Sequence, residues 1–218
     1  MLKSRKHVFW EALIIAIFIL GIGIMFGISV EGERTQEISE LYLKAEINLL
    51  DVEIQTQLLE FENLNCEEII KKNIEFADRV YYDALTLEQY EDVNSLTDSL
   101  ASQHKRYDLL RTILWLNSIK IKEKCGEDSF HTVVYLYEYK TQDLEQEGKQ
   151  IVFSNFLSDL KDEEKEAIIL IPIARNLNIS SLELLTKHYG INETSIIVDE
   201  DLIIYELADL NNIKEYID

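Results

Sequence analysis

An unbroken run of hydrophobic residues follows a short basic stretch at the start of the chain. No charged residue stands between Ala12 and Val30. A helix over these residues rises about 28 Å at about 1.5 Å per residue, which is close to the thickness of a bilayer's hydrocarbon core. The pattern therefore predicts an uncleaved transmembrane anchor over residues 9–30. A cleavable signal peptide is the alternative, although its apolar core is usually shorter and ends in small residues.

The charges on the two sides of this span predict its direction. Lys3, Arg5 and Lys6 precede the span, whereas the segment directly after it, "EGER", is mostly acidic. Because basic flanks stay in the cytoplasm, residues 1–8 are predicted to be a cytoplasmic flank and the chain from residue 31 onward to lie outside. The expected location is therefore a single-pass membrane protein with an extracytoplasmic C-terminal part.

Two glycines within the span, Gly23 and Gly27, form a G-x-x-x-G spacing. Small residues at this spacing let two membrane helices approach closely, so a homodimer through the span is one interpretation. The other interpretation is that glycine is simply frequent in membrane helices.

Residues 31–126 repeat apolar positions at helical spacing and predict a helical region, either a stalk or a bundle. Its first helix carries two apolar stripes. One consists of Ile38, Leu41, Ala45, Val52 and Leu59, and the other of Ile47, Leu50, Ile54, Leu58 and Phe61. Two stripes on one helix predict that it packs within a bundle and not alone against water.

From residue 127 to residue 218 the pattern changes to alternating strands and helices. "FHTVVYLYEY" and "AIILIPIA" read as buried strands, each followed by a helix, and "TSIIVDEDLIIYEL" reads as two strands joined at an acidic turn before a last helix. The predicted fold class is α/β, with the order β-α-β-α-β-β-α and a mixed four-stranded sheet. The first crossover should bring strands one and two into parallel contact. The turn residues Asp199, Glu200 and Asp201 are predicted to be solvated.

Composition narrows the possible functions. The chain holds 41 acidic and 21 basic residues, for a net charge of −20. Such a chain repels phosphate backbones, so nucleic-acid binding is not expected. Its four histidines are scattered without metal-ligand spacing, and no phosphate-binding loop or nucleophile motif occurs, so no metal, cofactor or catalytic residue is predicted.

The last part of the chain, about residues 130–218, resembles the thioredoxin-like fold. The resemblance rests on the element order and on "KHYGINETSIIVDEDLIIYELADLNNIKEYI", which looks like the second half of that family. It implies a C-x-x-C at the start of the long helix, where this chain has "TQDL", Thr141 to Leu144. It also implies a cis-proline before the third strand, where Thr194 or Ser195 stands. Pro172, the only proline in the chain, lies in strand two, which is an edge strand in this fold.

Without those cysteines and that proline, the redox site implied by the resemblance is degenerate. At the corner, Thr141 is predicted as the N-cap of the long helix, with Asp143 and Glu145 in its first turn. A thioredoxin-like domain in this state usually binds or scaffolds. The face between "TQDL" and "NETS" is the expected peptide-binding cleft, because the family binds extended peptides there.

The chain contains two cysteines, Cys66 and Cys125, at the ends of predicted helices. An even count in an oxidising compartment favours a disulfide between them. A redox pair is the alternative. "NIS" at Asn178 and "NET" at Asn192 are acceptors for N-glycosylation where that machinery is present.

These patterns favour a membrane-anchored extracytoplasmic binding or scaffolding protein that is not an enzyme and that contacts an unidentified protein or peptide. One alternative is an envelope thiol-disulfide oxidoreductase that uses Cys66 and Cys125. The other is a structural oligomer held together by the span and the helical stalk.

Overall fold

The structure is a computed structural model that describes residues 5–61, 65–93, 98–126 and 129–217, with the side chains of 5–8, 28–42, 45, 86–93 and 98–103 left out of the description. The chain divides into two compact units, Met1–Lys44 and Ala45–Asp218. The described helices are α1 (Arg5–Leu58), α2 (Cys66–Val93), α3 (Asp98–Cys125), α4 (Leu144–Glu164), α5 (Ser180–His188) and α6 (Asn211–Ile217). The described strands are β1 (His131–Tyr137), β2 (Ile168–Ala174), β3 (Ser195–Val198) and β4 (Leu202–Ile204).

The first unit consists of helix. No proline interrupts α1, and its segment Phe9–Gly27, 19 residues long, is apolar enough to cross a membrane. Its apolar side chains are exposed. A membrane anchor and a signal sequence both have this length and composition, so the predicted anchor and its direction stay predictions. Gly23 and Gly27 have open space around the position of a Cβ atom, and the dimer through them stays a prediction as well.

The second unit is built on a mixed four-stranded sheet of order β2-β1-β3-β4. β1 pairs with β2 in parallel and with β3 antiparallel, and β3 pairs antiparallel with β4. The predicted α/β class, the strand order along the chain and the parallel contact of strands one and two are confirmed. β2 lies at an edge of the sheet, where Pro172 is tolerated because an edge strand has one side without ladder hydrogen bonds.

Both faces of the sheet are covered by helices. Val133 and Tyr135 pack on one face in a core that also holds Phe153 of α4 and Ile213 of α6. Alternate residues point to the opposite face and join a core shared with α2, α3 and α5 (Val134, Leu136, Phe76, Leu114, Trp115 and Leu182). The near-continuous apolar sequence of β1 and β2 follows from this, because both of their faces are buried. The core residues that the structure describes belong to the second unit.

The packing of α1 corrects one expectation. From the first apolar stripe, Val52 and Leu59 are buried in the core, while Ile38, Leu41 and Ala45 lie outside the described side chains. The whole second stripe is exposed (Ile47, Leu50, Ile54, Leu58 and Phe61). The prediction that both stripes pack within a bundle is therefore wrong, because α2 and α3 cover only one side of this helix.

The acidic hairpin turn is also different from the prediction. Asp199 and Glu200 have positive φ angles of 49° and 62°, and their carboxylates turn back towards α3. Asp199 accepts from Lys122 Nζ at 2.5 Å, and Glu200 accepts from Trp115 Nε1 at 2.6 Å. Only Asp201 of the three is exposed. The turn is thus a polar joint between the hairpin and α3.

Candidate ligand-binding site

The corner between β1 and α4 is capped by an acid and not by the predicted threonine. Asp143 has extended backbone angles, and its Oδ1 accepts from the N–H groups of Glu145 at 2.9 Å and Gln146 at 3.3 Å. Thr141 Oγ1 accepts instead from Asp143 N at 3.3 Å. A carboxylate serves better here because its charge also interacts favourably with the N-terminal end of the helix dipole.

The predicted degenerate redox positions do not meet each other. Leu144 is 82 % exposed, whereas Thr194 is 1 % and Ser195 is 0 % exposed. The structure brings Thr194 to α4, but through two glutamines: Gln146 Nε2 donates to Thr194 Oγ1, which in turn donates to Gln150 Oε1 at 3.4 Å. Among the described residues, no peptide bond is cis.

Gln150 also fastens the end of β1. Its Oε1 accepts from Glu138 N at 2.7 Å and its Nε2 donates to Glu138 O at 3.1 Å. Arg175 Nη1 pairs with the Glu138 carboxylate at 2.8 Å, and Arg175 Nη2 donates to Asn192 O. These hydrogen bonds join α4 and the end of β1 to residues of "NETS", and peptide binding in the cleft between "TQDL" and "NETS" stays a prediction.

A cavity of about 510 Å³ opens on the other side of this corner. Its walls come from α2, α3, α4, the carboxyl-terminal half of β1 and the edge strand β2. Ligand sites in α/β proteins commonly lie at the carboxyl ends of parallel strands. Its aromatic and polar lining residues are Tyr81, His104, Arg111, Tyr135, Tyr137, Tyr139, Lys140, Glu147, Gln150 and Ser154.

Four tyrosines line the cavity. Tyr135 and Tyr137 stand two residues apart in β1, so they project from the same face of the sheet, and their rings stack at 5.5 Å. Tyr135 Oη donates to the Gln150 carbonyl at 3.2 Å, and burial raises the pKa of Tyr135. The phenol is therefore neutral and offers an apolar face to a ligand.

Three polar side chains of α3 stand behind this wall. Asp108 is fully buried, with Arg111 Nη1 3.3 Å from Oδ1 and His104 Nε2 3.9 Å from Oδ2. Burial raises the pKa of Asp108 to about 6, although Arg111 and His104 favour the charged form. His104 Nε2 also lies 2.6 Å from Tyr137 Oη. The helix therefore supplies a hydrogen-bonding strip, and His104 and Arg111 reach the cavity.

The lining of the cavity is suited to non-covalent binding of a ligand. Its aromatic walls suit an apolar or aromatic group, and His104, Arg111 and Lys140 suit hydrogen-bond acceptors beside that group. Lys140 Nζ lies 5.1 Å from the Tyr139 ring centre. Neither cysteine lines the cavity. Within the described part of the chain, no group of three or more His, Cys, Asp or Glu side chains is arranged to hold a metal ion.

The predicted disulfide is confirmed. Cys66 and Cys125 are bonded, with their Cα atoms 5.5 Å apart, and the bond joins the first residue of α2 to the last residue of α3. The predicted glycosylation acceptors Asn178 and Asn192 are both exposed, and their use stays a prediction.

Sequence reasoning did not single out the cavity residues. A signal was present in α3, where His104, Asp108 and Arg111 place polar groups at helical spacing on a face that also carries Leu114 and Ser118. Buried charge on such a face commonly marks a functional or structural network. Comparison of the chain with protein-family models, curated proteins and solved structures finds no match.

Proposed function

We propose that this chain is a single-pass, membrane-anchored binding protein whose extracytoplasmic α/β domain has a degenerate thioredoxin-like fold. The mixed sheet supports the proposal, since β1 and β2 are parallel, Pro172 lies in an edge strand, and a β3–β4 hairpin is followed by a final helix. The apolar segment Phe9–Gly27 supports the anchor.

The observation that carries the binding role is the tyrosine-walled cavity. Its volume of about 510 Å³ lies within the range of roughly 300–1,000 Å³ that is usual for ligand pockets. The ligand proposed is a segment of a partner protein that inserts an aromatic or aliphatic side chain between the tyrosines. Its neighbouring carbonyl or carboxylate oxygens accept from His104, Arg111 or Lys140.

Binding is preferred to thiol-disulfide exchange on chemical grounds. An activated cysteine needs a low-pKa position such as a helix N-terminus. The N-terminus of α4 holds Asp143 as its cap, and Cys66 and Cys125 are bonded to each other at the ends of α2 and α3.

Filling the cavity tests this function. The full chain in lipid nanodiscs is used to select binders from a library of displayed random peptides, and the selected peptides are then measured against two variants. Ser154→Trp places an indole in the cavity, whereas Ser158→Trp places the same group one turn further along α4 at an exposed position outside the lining.

The selected peptides should contain an aromatic or large aliphatic residue. Ser154→Trp should weaken their binding on the order of tenfold or more, since it removes the pocket that an anchor residue fills. Ser158→Trp should leave the affinity unchanged. Equal affinity for both variants would show that the binding site lies elsewhere.

A further inference from the structure

The second apolar stripe of α1 is an exposed hydrophobic surface apart from the cavity. Ile47, Leu50, Ile54, Leu58 and Phe61 are 57, 56, 57, 42 and 61 % exposed. Ile47, Leu50 and Ile54 are spaced by three and four residues, as in a coiled-coil seam. Leu58 extends this apolar face at the last residue of α1, and Phe61 follows in the turn after the helix. A row of large apolar side chains at this exposure is typical of an interaction surface and not of a helix face adapted to water.

The structure holds this face in a fixed orientation. Val52 and Leu59, on the opposite side of α1, are buried in the core. Thr56 Oγ1 donates to Asn117 Oδ1 at 2.5 Å, and Lys124 Nζ donates to the carbonyls of Leu59 and Phe61 at 2.5 and 2.6 Å. A partner therefore meets a preformed helix face, which lowers the entropic cost of binding.

Carboxylates line the seam. Glu46 and Glu53 lie seven residues apart along one flank of the helix, and Glu60 follows in the turn after it; all three are exposed. Asp51 is exposed on the other flank. In a parallel coiled coil the residues at these positions face the flanks of the partner helix and decide which partner is accepted.

We propose that this face of α1 binds an amphipathic helix of another protein whose apolar stripe is flanked by lysine or arginine. Charge complementarity selects this partner, because basic residues opposite Glu46 and Glu53 form favourable pairs across the seam. A second copy of the chain fits worse. A parallel copy would place its Asp51 opposite Glu46, so that like charges meet where unlike charges are needed.

Two synthetic helices test the proposal on the full chain in nanodiscs. Both carry the same isoleucine and leucine seam and the same length, but one has lysine and the other glutamate at the flanking positions. The lysine peptide should bind on the order of tenfold or more tightly than the glutamate peptide. Its affinity should fall between about 0.05 and about 0.5 M salt, because exposed charge pairs are screened.

Two variants locate the binding surface. Ile54→Glu should abolish binding of the lysine peptide, whereas Val152→Glu, an equally drastic change at an exposed apolar position of α4, should not affect it. Glu46→Lys combined with Glu53→Lys should reverse the preference towards the glutamate peptide. Circular dichroism and thermal melting check that each variant is folded.

Three results would overturn the proposal: no binding of either peptide, equal binding of both, or binding that survives Ile54→Glu. A fourth would replace the partner with a second copy, namely a dimer of the full chain in native mass spectrometry that Ile54→Glu dissociates. The cavity variants Ser154→Trp and Ser158→Trp do not change α1. A failure of the proposal for the α1 face therefore does not affect the test of the cavity.

Discussion

At the residue scale, Asp199 shows how an apparently ordinary acidic turn acquires a structural role. Its side chain accepts from Lys122 Nζ at 2.5 Å, from His131 Nδ1 at 2.6 Å and from Thr132 N at 2.7 Å. Lys122 is only 7 % exposed; Asp199 contacts its charge directly, and the neighbouring Glu200 also interacts with it electrostatically. Asp199 therefore joins the turn, α3 and β1.

Replacing Asp199 with asparagine tests that dependence. Asparagine keeps the shape and tolerates the positive φ of this position, but it removes the negative charge that contacts Lys122 directly. We expect the free energy of unfolding to fall by about 3 kcal/mol, the lower end for breaking a buried ion pair. Urea unfolding of residues 45–218, which contain the described core residues, measures this fall.

The matched control for this change is Asp201→Asn, two residues further along the same turn at an exposed position. It should alter stability by less than about 0.5 kcal/mol. Equal effects of the two substitutions would mean that the loss of negative charge on the turn, and not the contact with Lys122, sets the stability.

Asp108 leads to a prediction about pH. Burial raises the pKa of its carboxyl to about 6 from 3.8. The folded state therefore binds the carboxyl proton more tightly than the unfolded state does. The stabilisation that this protonation gives to the folded state is fully present below about pH 4 and is lost as pH rises through about 6. At about 1.4 kcal/mol per pKa unit, this group alone lowers stability by about 3 kcal/mol across that window.

Asp108→Asn removes that titration. The stability of the wild type minus that of the variant should fall by about 3 kcal/mol between about pH 4 and about pH 7, as measured by urea unfolding in a pH series. Asp159→Asn, at an exposed site on α4, should give a nearly flat difference. A difference that grows with pH would mean that the Arg111 pair outweighs the cost of burying the charge.

Whether the sequence predicts a residue's role depends on whether the residues that determine it lie within or at the ends of predicted elements, or in elements whose packing is not known. The pairing of Cys66 with Cys125 was predictable, because both lie at helix ends that an antiparallel bundle brings together. The N-cap was predicted two residues early, at Thr141 in place of Asp143, because the turn after β1 extends further than a tight corner would. The contacts of His104 with Tyr137 and Tyr139 required knowing which helix covers which strand.

At the scale of elements, periodicity predicted the order of strands and helices in the last part of the chain, and the parallel pairing of β1 with β2 followed from the crossover rule. Periodicity could not decide which stripe of α1 is buried. Both stripes are equally apolar, and only the positions of α2 and α3 show that Val52 and Leu59 face the core while Ile54 does not.

The disulfide is the covalent link between elements, and its removal is expected to weaken the helical layer. Cys66 and Cys125 are separated by 59 residues, and closing a loop of that size stabilises by roughly 4 kcal/mol in the chain-entropy model, often less in practice. Reduction of residues 45–218 should therefore shift the urea midpoint downward, as measured by far-ultraviolet circular dichroism.

A double variant, Cys66→Ser with Cys125→Ser, controls for side effects of the reductant. It should unfold at the lower midpoint with or without reductant. If the oxidised and reduced wild-type proteins unfold at the same urea concentration, the bond contributes no measurable stability, and the core contacts of α2 and α3 alone hold these helices.

At the scale of the whole molecule, location decides which chemistry is available. A disulfide persists outside the cytoplasm and is rarely maintained within it. The bond between Cys66 and Cys125 fits the predicted exterior location, and the segment Phe9–Gly27 is long and apolar enough to cross a membrane. Direction across the membrane is then set by charges that lie outside the folded domain.

The last prediction concerns that direction. The full chain, expressed in a bacterial host, is fused at its C-terminus to alkaline phosphatase or to green fluorescent protein, which report exterior and cytoplasmic locations respectively. The phosphatase fusion should be active and the fluorescent fusion dark. Membranes washed with alkaline carbonate should retain a chain whose mass still includes residues 1–30.

Reversing the basic flank with Lys3→Glu, Arg5→Glu and Lys6→Glu should lower phosphatase activity and raise fluorescence, because the cytoplasmic flank is chosen by its lysines and arginines. The same number of charge reversals at the exposed Lys71, Lys72 and Lys120 should change neither signal, since charges far from a span have little influence on its orientation. A wild-type fluorescent fusion that is bright would place the cavity, the disulfide and the exposed face of α1 inside the cell. A washed-off chain lacking its first residues would replace the anchor with a cleaved signal peptide.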